Sequence, residues 1–400
     1  MILFNSNFIL GCCKSWFDIT THVIFCKKKQ VIFAAPQHFN RGTNSKNQFL
    51  EKLVNLCKSN NVPFLILESP EYEAPQPHDP DSVRADLIFW LMMLLNKIAL
   101  KIYGTDNEKK ARKSVAKVMN CLTLGKLKVD KYITMAGLFI EMFEDMNPTG
   151  TVYDLQHGII YAGHPGYFNA YGGIAKSLSA SNCKVLLWGK GYKELFLQTP
   201  KIDKNKTLEI GYPIEQKELP KKNTERNTIL FSLQFTADID YKALAYLKGM
   251  LDKALSSIDF SKYTIKLKHH PRYNDIIDLS DLYEKYPDAI ITTEKFESLI
   301  DECLLNLTWY STTCFEFAAF GVPTFILSDS QFGKGEEIYY SQFKYPVFKG
   351  LSLQKVLESL NNPQKAQEVS ALVREWYLKL YSPFDYKNAK SVLGIDEKKD

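Results

Sequence analysis

Short runs of apolar and β-branched residues alternate with longer stretches of helical period along the whole chain. That is the pattern of parallel strands joined by crossover helices. The runs predict strands at 2–9, 30–35, 63–68, 150–155, 184–188, 228–233, 263–268, 288–292, 304–308 and 323–327. So many strands do not fit one sheet in 400 residues; they predict an α/β chain of two doubly wound, Rossmann-like domains. The first should span 1–200 and the second 227–363. The linker region 201–226 is polar and Pro-punctuated apart from a short strand and turn at Leu208–Pro213. A helical segment 364–393, with Val369, Leu372, Val373, Trp376, Tyr377 and Leu380 at helical spacing, should pack back on the first domain ahead of a charged tail, 394–400. Four prolines between 69 and 82 predict a surface loop.

Composition changes this picture little: 45% hydrophobic and 24% charged residues belong to a chain that folds throughout. A net charge of +5 is too small for a protein whose task is to neutralise nucleic-acid phosphates, so no nucleic acid is expected as partner. The charge is concentrated. Residues 97–131 hold ten basic residues against Asp106, Glu108 and Asp130, a net of +7, directly after the apolar run Leu87–Leu95. Nine apolar residues fall short of the ~18–20 of a bilayer span. The run is either a core helix or one lying in an interface, and 87–131 is the stretch through which peripheral contact with an anionic membrane is expected. The N-terminus lacks the basic region and cleavage site of a secretory signal, which predicts a cytoplasmic protein, at the inner face of the membrane if that contact is made. Eight scattered cysteines without a Cys-x-x-Cys pair are read as reduced and structural, with no metal site.

Three stretches can carry chemistry, and each follows a predicted strand, where ligands bind in open α/β sheets. In Gln156-His157-Gly158, His157 is a candidate general base and Gly158 leaves room for a close approach of substrate. The glycine-rich loop that follows offers His164 and Tyr167 as acceptor contacts. In Lys266-Leu267-Lys268-His269-His270-Pro271-Arg272, strand alternation puts His270 on the side of Lys266 and Lys268, with Arg272 at the rim, a donor set suited to phosphate. In Tyr310-Ser311-Thr312-Thr313-Cys314-Phe315-Glu316, Ser311 or Thr312 is the N-cap of a helix whose free N–H groups attract anions; Glu316, one turn in, can accept from ribose hydroxyls or close a capping box. Asp238-Ile239-Asp240 is the one Asp-x-Asp-like tripeptide near a strand end.

The order of Gln156-His157-Gly158, Trp188-Gly189-Lys190-Gly191-Tyr192, Gly211-Tyr212-Pro213, His270-Pro271, Ser311-Thr312-Thr313 with Glu316, and Gly321-Val322-Pro323 resembles nucleotide-sugar glycosyltransferases of the GT-B architecture. The likeness is to bacterial capsule and lipopolysaccharide transferases and to the sialyltransferase-like and CDP-glycerol glycerophosphotransferase-like groups, over about 150–330. It implies two Rossmann-like domains facing a central cleft. It also implies an inverting transfer from a nucleotide-sugar donor, CMP-, UDP- or other, to a glycan or glycolipid hydroxyl, with no cofactor or metal. His157 would be the base, His270, Arg272, Ser311, Thr312 and Thr313 would bind the donor phosphate, and Glu316 would hold the ribose. Two departures stand out: the acidic-acidic-glycine motif of bacterial sialyltransferases is absent, and Gln156 occupies the place where the glycerophosphotransferase-like pattern has Trp. The resemblance leaves three rivals: CDP-polyol phosphate transfer, sugar-nucleotide 2-epimerisation, and an inactive scaffold subunit.

Overall fold

The structure, a computed structural model, describes residues 6–71, 76–164, 166–169, 173–198, 203–215, 226–236, 239–270, 273, 277–327 and 335–395. The strands are β1 (Val31–Pro36), β2 (Phe64–Ser69), β3 (Val83–Arg84), β4 (Lys131–Met135), β5 (Thr151–Leu155), β6 (Lys184–Leu187), β7 (Thr207–Glu209), β8 (Thr228–Ser232), β9 (Thr264–Lys268), β10 (Ile290–Ile291), β11 (Cys303–Thr308) and β12 (Thr324–Ile326). They form a seven-stranded sheet of order β3-β2-β1-β4-β5-β6-β7 and a five-stranded sheet of order β10-β9-β8-β11-β12. Every pairing is parallel. Central strands covered by helices on both faces are apolar throughout, as in Val31-Ile32-Phe33-Ala34-Ala35, all buried. Strand order reverses between β1 and β4 in one sheet and between β8 and β11 in the other, and in open α/β sheets the crevice beyond the carboxyl ends of the strands at such a reversal is where ligands bind.

The chain forms two compact units. One runs to Glu215 and takes up the chain again from Tyr381; the other lies between. The helix Pro363–Leu380 belongs to the second unit and not, as the sequence suggested, to a segment returning to the first. Trp376 stacks on Phe315, its ring centroid 5.1 Å away, and donates to the Phe343 carbonyl at 2.7 Å. Gly321 lets the turn before β12 lie against this helix, because a Cβ there would sit 2.3 Å from Ser370 Oγ. The return to the first unit begins only at Tyr381. Gly211, at φ +76°, gives way to the backbone of Pro383, whose oxygen would lie 2.1 Å from a Cβ. Tyr212 N–H then donates to Ser382 and Asp385 N–H to Ile210, while Tyr381 packs among Trp188, Tyr192 and Tyr212. Two of the motifs behind the resemblance, around Trp188 and Gly211, thus serve as the seat of the C-terminal segment.

Four expectations change. Residues 6–9 of the first predicted strand lie in a helix, Ser6–Ile19, while 2–5 fall outside the described residues. Ile9, Cys13 and Trp16, with Leu10 and Phe17, repeat at helical spacing, which a short apolar run did not reveal. Strand β4 was missed because its apolar residues follow directly on the basic segment, Lys131 being both the last basic residue and the first of the strand. The two-residue β3 was also missed. The predicted surface loop 69–82 is tied down over its described residues 76–82. The buried carboxylate of Glu68 accepts from Asn40 Nδ2 (2.7 Å), Asp79 N–H (3.0 Å) and Ser82 Oγ (3.0 Å) and pairs with His78 Nδ1 (2.8 Å), and Asp79 is itself buried. These bonds outweigh burial and hold the Glu68 carboxyl below its ordinary value.

Candidate active site

In the first unit the chain leaves β5 through Gln156 and His157. Gln156 is fully buried and bridges: its Oε1 accepts Trp188 N–H at 2.9 Å and its Nε2 donates to the Gly158 carbonyl at 2.9 Å. It fixes the loop from which His157 projects. Nothing lies within 4 Å of where a Gly158 Cβ would be, so the space beside the histidine is open. His157 lies 5.3 Å from the Phe39 ring, and its Nδ1 is 3.5 Å from the hydroxyl of Tyr167. Tyr167 is buried rather than displayed on the loop, with Phe196 against its ring. It is therefore no stacking platform for a sugar. Its phenol also bonds Asp154, the buried carboxylate of β5, which accepts from Gly137 N–H (2.9 Å) and Thr134 Oγ1 (3.2 Å).

The result is a carboxylate–phenol–imidazole line at a strand end. Burial dominates its electrostatics. It lowers His157 from 6.5 to about 4, helped by His164 and His38 and opposed by a bond to the Leu155 carbonyl. It raises Asp154 from 3.8 to about 6 against the three hydrogen bonds that favour the anion, and it pushes the Tyr167 phenol well above its ordinary value. At neutral pH His157 is an uncharged imidazole. His164, half-buried between Tyr161 and Tyr167, is also shifted down by burial and accepts Gly166 N–H at 3.2 Å through Nδ1.

Two members of this site escaped the sequence reading. His38 follows β1, has its ring 4.0 Å from that of Phe39 at a 55° tilt and pairs with Glu71 at 2.8 Å. The rule that picked out His157, a histidine just past a predicted strand, applies to it equally. Asp154 carried a weaker signal, a carboxylate inside an otherwise apolar strand.

In the second unit Gln234, past β8, plays a part like that of Gln156. Its Oε1 accepts Tyr310 N–H (2.9 Å) and Thr308 Oγ1 (3.1 Å). This sets the start of the turn Ser311–Thr313 at the crevice between β8 and β11. Ser311 Oγ accepts Thr313 N–H at 3.3 Å, and Tyr339 donates to the Ser311 carbonyl. Thr312 stands at the cap without a side-chain cap bond and is exposed. Thr313 is buried, and its Oγ1 has no partner among the described residues. Glu316 is exposed one turn on. The helix Thr313–Ala318 has only six residues, so its dipole is smaller than the sequence suggested.

The phosphate cluster around His270 changes more. His270 is half-buried at the end of β9, on the same carboxyl edge as Ser311 but separated from it by β8, about 10 Å at the usual strand spacing. Arg272 and Pro271 lie outside the described residues. The side of β9 shared with His270 does carry Lys266 and Lys268, but both are engaged. Lys266 pairs with Glu294 (2.9 Å) and Glu302, and Lys268 donates to the Glu294 carbonyl and lies over the Phe296 ring. They brace the sheet edge and are not free for phosphate. Asp240 caps the helix Tyr241–Ser256, accepting Ala243 N–H at 3.0 Å, while Asp238 is outside the described residues. Among the described residues no group of three or more His, Cys, Asp or Glu is arranged to hold a metal ion.

No protein-family model matches the sequence, and no curated protein matches it. The fold is similar to solved structures. A variant of the wall teichoic acid polymerase TagF is 15% identical over 98% of this chain and 96% of that one, with a TM-score of 0.47. S. aureus TarM, solved with Fondaparinux, alpha-GlcNAc-glycerol and UDP, is 15% identical over 69% of this chain and 57% of that one, at 0.42. Sucrose-phosphate synthase from Thermosynechococcus elongatus is 11% identical over 92% and 98%, at 0.49. Two doubly wound parallel sheets in succession are the components of the GT-B architecture. Likenesses this distant assign no residue a role.

Proposed function

We propose that the protein is a glycosyltransferase that moves a sugar from a nucleotide-sugar donor to a hydroxyl of a glycan or glycolipid in the synthesis of a bacterial surface polysaccharide. The observation that carries the reading is the neutral His157 at the carboxyl end of β5, with Tyr167 and Asp154 behind its Nδ1. The ring nitrogen that carries no proton then takes the proton of an acceptor hydroxyl. The freed oxygen bonds the anomeric carbon as the bond from that carbon to the donor phosphate breaks, and the nucleotide departs with the electron pair. One displacement inverts the configuration. The charge gained by His157 is offset through Tyr167 by Asp154, and an anionic donor brought near it raises its affinity for the proton.

The second unit takes the donor phosphate. In place of the engaged lysines, Ser311, Thr312, the partnerless hydroxyl of Thr313 and His270 supply donors at the crevice, and Glu316 reaches the ribose. The test pairs turnover with nucleotide binding. His157→Gln should lose transfer while keeping the thermal stabilisation given by CDP, CMP, UDP or UMP; His270→Ala and Thr313→Val should lose that stabilisation. The opposite split would overturn the roles. Product analysis checks the reaction itself: phosphate retained in the product with release of CMP would replace sugar transfer by polyol-phosphate transfer, isomerisation of the donor without acceptor would mean an epimerase, and nucleotide binding without turnover would mean a scaffold.

A further inference from the structure

The first unit displays apolar side chains that the chemistry above does not use. On the helix Ser6–Ile19, Ile9, Leu10, Trp16 and Phe17 share one face with Cys13, since 3.6 residues complete a turn, and Trp16 and Phe17 are 65% and 66% exposed. Phe25, just beyond, is 81% exposed. The opposite side is fixed: Ile19 is buried, and Ser15 Oγ accepts Leu87 N–H at 3.1 Å and donates to the Arg84 carbonyl at 2.8 Å. This ties the helix to the start of the helix Asp86–Tyr103. That second helix turns Met93, Leu94, Ile98 and Ile102 outward. No single helix among the described residues is long and apolar enough to cross a membrane, and Asp86–Tyr103 is bent by 118° from the helix that follows it.

Charge identifies what covers these faces. Lys14, Lys27 and Lys28 are exposed beside the aromatic residues, as are Lys97 and Lys101 among the outward residues of the second helix. The acids on these two helices are withdrawn, Asp18 in an ion pair with Arg84 at 3.1 Å and Asp86 buried. Aromatic and aliphatic side chains flanked by lysines on helices held flat against a globular unit match a bilayer surface, with rings at the headgroup boundary and ammonium groups on anionic lipid. From this we infer that the helices Ser6–Ile19 and Asp86–Tyr103 dock the protein on the surface of an anionic membrane, with Trp16, Phe17 and Phe25 entering the headgroup region. The sequence reading had placed such contact at 87–131 alone. The inference is independent of the transfer reaction.

Cosedimentation of the full chain with vesicles of phosphatidylcholine alone, or phosphatidylcholine with one quarter phosphatidylglycerol, tests it. Binding should be at least about tenfold tighter to the anionic vesicles and weaken with salt. Trp16→Glu with Phe17→Glu should reduce it by about tenfold or more, and Lys27→Glu with Lys28→Glu should remove the preference for anionic lipid. Trp188, Trp309 and Trp376 are buried and Trp90 is half-buried, so a blue shift of emission on binding should shrink in Trp16→Phe, which still binds, and the part that is lost reports Trp16. These exposed substitutions should leave the urea midpoint unchanged. Absence of binding overturns the inference, as does binding that Trp16→Glu with Phe17→Glu leaves intact. Self-association without lipid, abolished by the same substitutions, would also overturn it by showing that a second copy covers the face.

Discussion

His157→Gln offers a direct measure of how strongly the site holds its imidazole neutral. The shift from 6.5 to about 4 corresponds to about 3 kcal/mol of preference for the uncharged form. A depressed pKa in the folded state means that the unfolded chain binds the extra proton first. The cost is absent above 6.5, grows as pH falls, and is complete below 4. Between roughly pH 7.5 and 4.5 it amounts to about 2.5 kcal/mol of lost stability. Asp154 works in the opposite sense. Its raised folded value of about 6 gives stability that is present below 3.8 and lost as pH rises through 6, so in the wild type the two largely offset each other. The comparison must therefore be between wild type and His157→Gln, which keeps Asp154. Urea unfolding at a series of pH values, with the transition of the first unit fitted separately, should show the wild type losing about 2.5 kcal/mol more than the variant over that range. Parallel curves would refute the claim that His157 is buried and neutral, and with it the reason for casting it as a base. In the active protein the same shift places the acid limb of kcat/KM near 4 rather than 6.5.

Other substitutions probe the supports of the site. Tyr167→Phe removes the hydroxyl between Asp154 and His157; kcat should fall by about tenfold or more with KM little changed, and the acid limb should move, which a packing defect alone would not cause. Gln156→Ala strands the N–H of Trp188 and should cost about 1–3 kcal/mol of stability by urea titration. Gly211→Ala drives a Cβ into the Pro383 carbonyl at positive φ and should cost more than about 3 kcal/mol, read as a lowered thermal midpoint. Lys266→Ala breaks ion pairs with half-exposed Glu294 and Glu302; stability should change by less than about 1 kcal/mol and the nucleotide-induced thermal shift should be unaltered, whereas loss of that shift would return the lysine to the phosphate site.

The fold was legible wherever a strand is covered on both faces, because such strands are unbroken apolar runs: 30–35 became β1 and 304–308 became β11. It was illegible where neighbouring residues masked the signal, as at β4 behind its lysines, or where a short apolar run fits both periods, as at 6–9. Site positions followed from one rule, chemistry-bearing residues just beyond strand ends, which placed His157 and Ser311 at the carboxyl edges of their sheets. What those residues touch could not be read. The Tyr167 phenol meets Asp154 only after the loop folds down on Phe196, and Lys266 meets Glu294 and Glu302 only once β9 lies beside β10 and β8. A lysine on the side of β9 that carries a histidine looks free in sequence and is paired in space.

The two units also share a device that holds particular residues in place. In each sheet a buried glutamine just past a strand spends its carbonyl on an N–H just past a neighbouring strand, Gln156 on Trp188 and Gln234 on Tyr310. Parallel strands leave such groups without ladder partners at their carboxyl ends, and a buried N–H without a partner is costly. Once the glutamine has satisfied them, the next residues along the chain are held in place. His157 follows Gln156, and Ser311 follows Tyr310. Rigidity at the strand end is what a transfer site requires, since the reacting groups must be held in fixed positions.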